Sequence, residues 1–236
     1  MIVVKDNLKG MVFPPCLFHG DSLEMLIKMP SGIADLALID PPYFDYKTGH
    51  RKDKEGKLSQ SLVQQDRDAQ LRTVQECIRV LKDDRAFSFF SNWQEAWWFQ
   101  QRFHSFLRNE IVWDKGNWAA GDLYGSLGCK WEAVFLGTKG KWRYNGDRIH
   151  DIWEIARVGT NRVHPTEKPV ELYKRIIELA TKEGDLVIDP YLGSGASAEA
   201  AILTNRNFIG WEIDEDYYKV STRRIEEVWK NKYQQV

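Results

Sequence analysis

The chain has 236 residues, with 33 lysines and arginines against 34 aspartates and glutamates and a formal net charge of -1. That length suits one domain with a substantial core, and the near-zero balance excludes a globally basic nucleic-acid binder, so any such surface has to be local. Three widely spaced cysteines, Cys16, Cys77 and Cys129, make neither a disulfide framework nor a zinc site and suit a reducing cytoplasm, while no apolar stretch nears the ~18 residues of a membrane span and the N-terminus lacks the apolar stretch of a signal peptide.

Apolar runs bounded by turn residues alternate with helical patterns, which predicts a parallel sheet covered by helices. In chain order the strands are expected at 16–19, 34–39, 86–90, 109–113, 132–137, 186–189 and 207–211, and the helices at 22–29, 64–82, 94–106, 168–182, 195–204 and 214–230. Two stretches interrupt this rhythm. Residues 44–62 are polar and charged and read as a mobile loop. Residues 138–163 carry Lys139, Lys141, Arg143, Arg148, Arg157 and Arg162 with Trp142, Tyr144 and Trp153 interleaved. A long excursion of this kind inside a compact domain is usually functional or disordered.

Two segments carry chemistry. Asp40-Pro41-Pro42-Tyr43 follows the apolar run Leu36-Ala37-Leu38-Ile39, and Asp189-Pro190-Tyr191-Leu192-Gly193-Ser194-Gly195 follows Leu186-Val187-Ile188. Each puts an acid and a proline at the carboxyl end of a buried strand, where open α/β sheets bind ligands. Gly193 and Gly195 allow close backbone approach to a ligand and open a helix. Glu212, about 20 residues past this loop, suits ribose hydroxyls. Gly193, Gly195 and Ala198 also satisfy the G-x-G-x-x-A pattern of dinucleotide-binding proteins, so an NAD site is a rival at this point. Against it, only one more strand follows the loop.

The first segment resembles the catalytic motif of amino-methyltransferases that act on nucleic-acid bases, and the second resembles their S-adenosylmethionine loop. Leu17-Phe18-His19-Gly20-Asp21-Ser22-Leu23 and His164-Pro165-Thr166-Glu167-Lys168-Pro169 resemble further cofactor segments of the same family. The catalytic segment precedes the cofactor loop, a circularly permuted order similar to the β class of DNA amino-methyltransferases.

The resemblance implies an α/β fold of class I methyltransferase (Rossmann-like) type: a seven-stranded, mostly parallel sheet with helices on both faces, in a single methyltransferase domain over 1–236. It implies adenine-N6 methylation in DNA, with cytosine-N4 as the alternative and a non-catalytic DNA-binding protein as a more distant one. Asp40 and a backbone carbonyl, expected to be that of Pro41, would accept from the target amine. The prolines withhold their own N–H groups, and Tyr43 would stack the base turned out of the duplex. The implied cofactor, S-adenosylmethionine, would meet Asp21, His164, Thr166, Lys168, Asp189, Tyr191, Gly193, Ser194, Gly195 and Glu212. Asp21 reads equally as a helix N-cap. The implied partner is double-stranded DNA, a homodimer is common in the class, and no metal is called for. Target recognition is expected at 138–163, with Lys141, Arg143 and Arg148, and Lys52 of the 44–62 loop, on phosphates or bases.

Overall fold

The computed structural model describes residues 11–43, 66–118, 124–125, 127–159 and 166–234. Lys52 and His164, the 44–62 loop and Arg162 lie outside the described residues.

The described strands are β1 (Cys16–His19), β2 (Ala34–Ile39), β3 (Leu81–Ser91), β4 (Leu107–Asp114), β5 (Trp131–Lys139), β6 (Ile152–Glu154), β7 (Leu186–Asp189) and β8 (Asn207–Glu212). The helices are α1 (Ser22–Lys28), α2 (Arg67–Val80), α3 (Trp93–Phe103), α4 (Val170–Ala180), α5 (Ala196–Leu203) and α6 (Glu215–Tyr233). All strands join one sheet in the order β1-β8-β7-β2-β3-β5-β4-β6. Only β5 runs against its neighbours, β3 and β4. Every residue of β2 is buried, as expected of a central parallel strand covered on both faces. Its side chains alternate between two cores. Leu36 and Leu38 pack with residues of α4, α5 and α6, and Ala37 and Ile39 with residues of α1, α2 and α3.

Polar caps set the helix starts. Asp21 accepts from Leu23 N at 2.7 Å, Asp66 from Ala69 N at 2.7 Å, and Asn92 from Glu95 N at 2.9 Å, each covering an otherwise unpaired first-turn N–H.

The structure adds an eighth strand to the seven expected. β6 arises inside the 138–163 excursion and pairs parallel to β4, burying Trp153 to 1% exposure, with Arg175 over the ring at 4.4 Å. Three residues between polar neighbours leave no readable strand period. β3 also starts earlier than expected, at Leu81 rather than 86. Lys82-Asp83-Asp84-Arg85 looks like a helix end and a turn, but Lys82 and Arg85 both pair with the buried carboxylate of Asp35 on β2, each at 2.8 Å. That tertiary contact holds the polar stretch in the sheet.

Between β7 and β2 the connections diverge. β7 leads through α5 to β8 on one side, and β2 leads through α2 to β3 on the other. This topological switch point opens a crevice at the carboxyl ends of the two central strands. Asp40 follows one of them and Asp189 ends the other.

Candidate active site

A cavity of about 330 Å³ lies at this crevice, within the range of small-molecule and cofactor sites. Asp40, Tyr43, Lys168, Tyr191, Gly193 and Glu212 are among its walls, as are Asp21, Pro41, Pro42, Thr166 and Ser194. Residues from five separate segments of the sequence thus share one space.

On the β8 side the glycine loop is tied to the strand beside it. Glu212 accepts from Gly193 N at 2.7 Å and from Asp214 N at 2.9 Å. Leu192 N donates to Trp211 O at 2.9 Å. Gly193 has φ +53°, a backbone conformation that side chains with a Cβ rarely adopt. Gly195 (φ +86°) serves a different end. A Cβ there would stand 3.1 Å from Ser221 Cβ on α6, so this glycine lets the loop pack on α6 rather than approach a ligand. Asp21 both caps α1 and lines the cavity, so its two readings coexist.

Asp189 is buried behind the cavity wall. It accepts from Tyr191 N at 2.8 Å and from the Ser197 hydroxyl. Burial pushes its carboxyl up to about 7, against the pull of those two donors. Burial likewise raises Glu212, with the Asp214 and Gly193 N–H groups opposing it.

On the β2 side, Asp40 sits in a buried charge cluster. Lys168 Nζ lies 3.0 Å from Asp40 Oδ1 and 2.9 Å from Oδ2, and the Tyr173 hydroxyl donates to Oδ2 at 3.4 Å. The same ammonium is 3.5 Å from Glu132 Oε2 and 3.4 Å from the Tyr43 hydroxyl. Tyr43 donates to Glu132 Oε2 at 3.0 Å, and Lys115 Nζ holds Glu132 Oε1 at 3.2 Å. Burial raises the Asp40 carboxyl above its usual range, although Lys168 pulls it down. For Glu132 the two lysines prevail over burial and its pKa is lowered. For Lys168 the carboxylates of Asp40 and Glu132 prevail over burial and its pKa is raised. The cluster therefore holds two carboxylates and two ammonium groups in balance, the condition under which buried charges persist.

The Pro42 carbonyl accepts from Gln70 Nε2 at 2.8 Å. Among the described residues the Pro41 carbonyl has no donor, so a backbone acceptor stands beside the Asp40 carboxylate. Tyr43 is 8% exposed, and its bond to Glu132 holds the hydroxyl end of the ring in place.

Gln70 and Tyr173 escape motif reading, whereas Lys115 and Glu132 lie in Ile111-Val112-Trp113-Asp114-Lys115 and Trp131-Glu132-Ala133-Val134-Phe135, segments that resemble the later strands lining the target-base side in the family. Gln70 could have been found as a polar residue one and two turns before Val74 and Cys77 on the buried face of α2. Tyr173 could likewise have been found beside Leu172, Ile176 and Ile177 on α4. The partnership of Glu132 with Lys115 carries no sequence signal, because it exists only across the antiparallel pairing of β4 and β5.

Lys141 and Arg143 are not brought to the cavity. Lys141 N donates to Asp84 Oδ1 at 2.6 Å, and Asn145 is tied to Glu178 and Thr181 at the far end of α4. These contacts mark the amino edge of the sheet. Along β3, from Arg85 to Ser91, that edge is about 20 Å from the catalytic one. Lys141 and Arg143 therefore lie away from the edge that carries the cavity. Arg148 is exposed in the segment that leads into β6. The chain returns to that edge after β6, where Arg157 N donates to Lys115 O at 3.5 Å.

Comparisons with known proteins agree with this geometry. A family model described as DNA methylase, of the N6/N4 type, matches residues 34–223. The DNA adenine methyltransferase YhdJ of Escherichia coli is 27% identical over 89% of this chain and 82% of its own. The type II methyltransferase M.HinfI of Haemophilus influenzae is 25% identical over 97% of this chain and 72% of its own. Among solved structures, the PvuII DNA methyltransferase, described as cytosine-N4-specific, aligns with a TM-score of 0.72 at 17% identity, covering 93% of each chain. The M1.HpyAVI–SAM complex aligns with a TM-score of 0.66 at 20% identity, covering 89% of this chain and 98% of that one. These two likenesses speak for a shared class I methyltransferase fold. With the family match spanning both the catalytic and the glycine-loop segments, the chain belongs to the N6/N4 DNA methylase family.

Proposed function

We propose that the protein methylates the exocyclic N6 amine of adenine in double-stranded DNA, with S-adenosylmethionine as the methyl donor. The observation that carries this reading is the shared cavity: an acceptor pair, Asp40 and the Pro41 carbonyl, faces the same space as the glycine loop and Glu212. The relatives named as adenine methyltransferases support the choice of adenine.

The residues present fit such a cofactor. Glu212 is an acid at the end of β8 suited to ribose hydroxyls, Gly193 offers close backbone approach, and Asp21 lines the wall beyond them. The bound cofactor supplies a methyl group on a cationic sulfonium. The chain supplies position and electrostatics. The amine of adenine is a weak nucleophile because its lone pair is delocalised into the ring. Asp40 and the Pro41 carbonyl accept its two N–H groups, which favours a tetrahedral nitrogen with the lone pair directed outward. Asp40 then takes the proton that the methylated nitrogen must lose. Reaching this pocket requires the base to leave the duplex, and the ring of Tyr43 gives it a flat surface. Catalysis of this kind rests on orientation and preset charge.

The duplex would lie along the carboxyl edge of the sheet. Trp93, Trp131, Lys130 and Arg157 are exposed there, and the basic pair would serve phosphates. The described part of 138–163 contributes to this surface through its return limb. The setting is the reducing cytoplasm, in which Cys16, Cys77 and Cys129 stay as thiols.

Cytosine-N4 methylation is the second reading, favoured by the alignment with the PvuII enzyme. Asp40 would accept from that amine equally well. Digestion of DNA from cells expressing the protein, followed by mass spectrometry of the nucleosides, separates them. N6-methyldeoxyadenosine is the expected product. N4-methyldeoxycytidine in its place would make cytosine the target, and the absence of both would refute the reading.

A further inference from the structure

We propose that Glu132 is a positioning residue that acts through Lys168: it receives the lysine ammonium when the target amine claims Asp40. The inference rests on the assignment of Asp40 as acceptor of that amine.

A carboxylate has about four lone-pair sites. In this structure the ammonium of Lys168 lies across both Asp40 oxygens, at 3.0 and 2.9 Å, and Tyr173 takes a further position on Oδ2. One position, on Oδ1, is left over, but Lys168 lines the same cavity, so an amine that reaches Asp40 through it competes with the ammonium for the carboxylate. Lys168 cannot retreat into water, because its side chain is 4% exposed. It needs a second anion within a short swing. Among the described residues Glu132 is that anion, already 3.5 Å from Nζ.

Glu132 is itself held from two other sides. Lys115 binds Oε1 and the Tyr43 hydroxyl donates to Oε2. The same carboxylate therefore anchors the hydroxyl end of the ring offered to the base and receives the cation that guards the acceptor. Base entry and release of Asp40 become parts of one rearrangement. Without Glu132, Lys168 has a single charged partner, and Asp40 stays tied up.

The ionisable groups around Asp40 are Lys168 and Tyr173 from α4 and its lead-in, Tyr43 after β2, Glu132 on β5 with Lys115 behind it, and Asp189 on β7. Glu132 raises the Asp40 pKa by repulsion and Lys168 lowers it by attraction. Glu132→Gln removes the repulsion and leaves Lys168 wholly on Asp40. Both changes shift Asp40 downward, so the acid limb of the rate profile moves to lower pH while the plateau rate falls. Lys168→Met shifts the limb the opposite way.

The test is tritiated-methyl transfer to unmethylated genomic DNA at saturating cofactor, followed across the acid range. Thermal melting and S-adenosylhomocysteine titration of each variant report the fold. Glu132→Gln is expected to lose at least about tenfold in plateau rate, with its acid limb moved down. Adding Lys168→Met to Glu132→Gln is expected to recover much of that plateau, because the trapping cation is gone. A merely structural carboxylate predicts a lower melting temperature, an unmoved limb and no recovery, and that result would overturn the proposal. With an active parent and an inactive Asp40→Asn, such a failure would fall on Glu132 alone. An active Asp40→Asn would overturn the acceptor assignment and this inference together.

Discussion

Glu212→Ala is the sharpest test of the cofactor side of the cavity. The carboxylate does two jobs. One is the expected contact with ribose hydroxyls, and the other is the pair of bonds to Gly193 N and Asp214 N at 2.7 and 2.9 Å. Removing it deletes a charged acceptor for the ligand and frees two N–H groups that fix the loop. A hydrogen bond to a charged group contributes about 1.5–3 kcal/mol. Loss of the ribose contact alone should weaken S-adenosylmethionine and S-adenosylhomocysteine by about 1–3 kcal/mol, or roughly 5- to 150-fold in Kd. Loss of the loop bonds should appear separately, as a melting temperature lower by about 2–4 °C for each kcal/mol in a chain of this size. Calorimetric titration gives the first and thermal unfolding without ligand gives the second. Unchanged affinity with a lowered melting temperature would make Glu212 a loop staple only and refute the ribose assignment. If NAD stabilised the parent protein and S-adenosylhomocysteine did not, the dinucleotide reading of the glycine loop would stand instead.

Asp40→Ala should abolish methyl transfer while S-adenosylhomocysteine binding stays near the parent value, since Asp40 faces the target amine; equal loss of both, in paired calorimetric and tritium assays, would move Asp40 to the cofactor. The Asp189 carboxyl has a folded-state pKa of about 7 against 3.8 ordinarily. A raised pKa means that the folded state holds a proton the unfolded state has lost, so this group's contribution is full below the unfolded value and is lost as pH climbs through about 7. Urea unfolding of Asp189→Asn should therefore lack a decline that the parent shows between those two values, and identical profiles would contradict the assignment. Paired Lys141→Ala and Arg143→Ala substitutions, at the amino edge, should leave DNA affinity and its salt dependence unchanged. Paired Lys130→Ala and Arg157→Ala should lower the salt slope by roughly one unit per contact; the reverse pattern would return the DNA surface to the amino edge. Gly137→Ala places a Cβ 2.1 Å from the Phe87 ring and should destabilise the protein by about 1–3 kcal/mol through overpacking, read by urea unfolding.

Periodicity and motif order were enough to read the alternating α/β plan, the helices and seven of the strands. Those are local properties. Apolar runs such as Leu36–Ile39 and a cap such as Asp21 act within a few residues of themselves. Asp40-Pro41-Pro42-Tyr43 and the glycine loop were legible for the same reason, since each keeps its functional groups within one turn of chain. What local signals could not reach was anything made by pairing distant segments. β6 exists because Val112 and Asp114 offer it a strand edge, and β3 begins at Leu81 because Asp35 anchors Lys82 and Arg85. That Lys141 and Arg143 lie at the amino edge was not legible, because composition shows that a segment is basic but not which edge of the sheet it reaches. The tertiary structure alone decided that Lys168 meets Asp40, 128 residues away in sequence. It also decided that Glu132 and Lys115 complete the cluster, because buried charges find their partners through sheet register rather than through spacing along the chain.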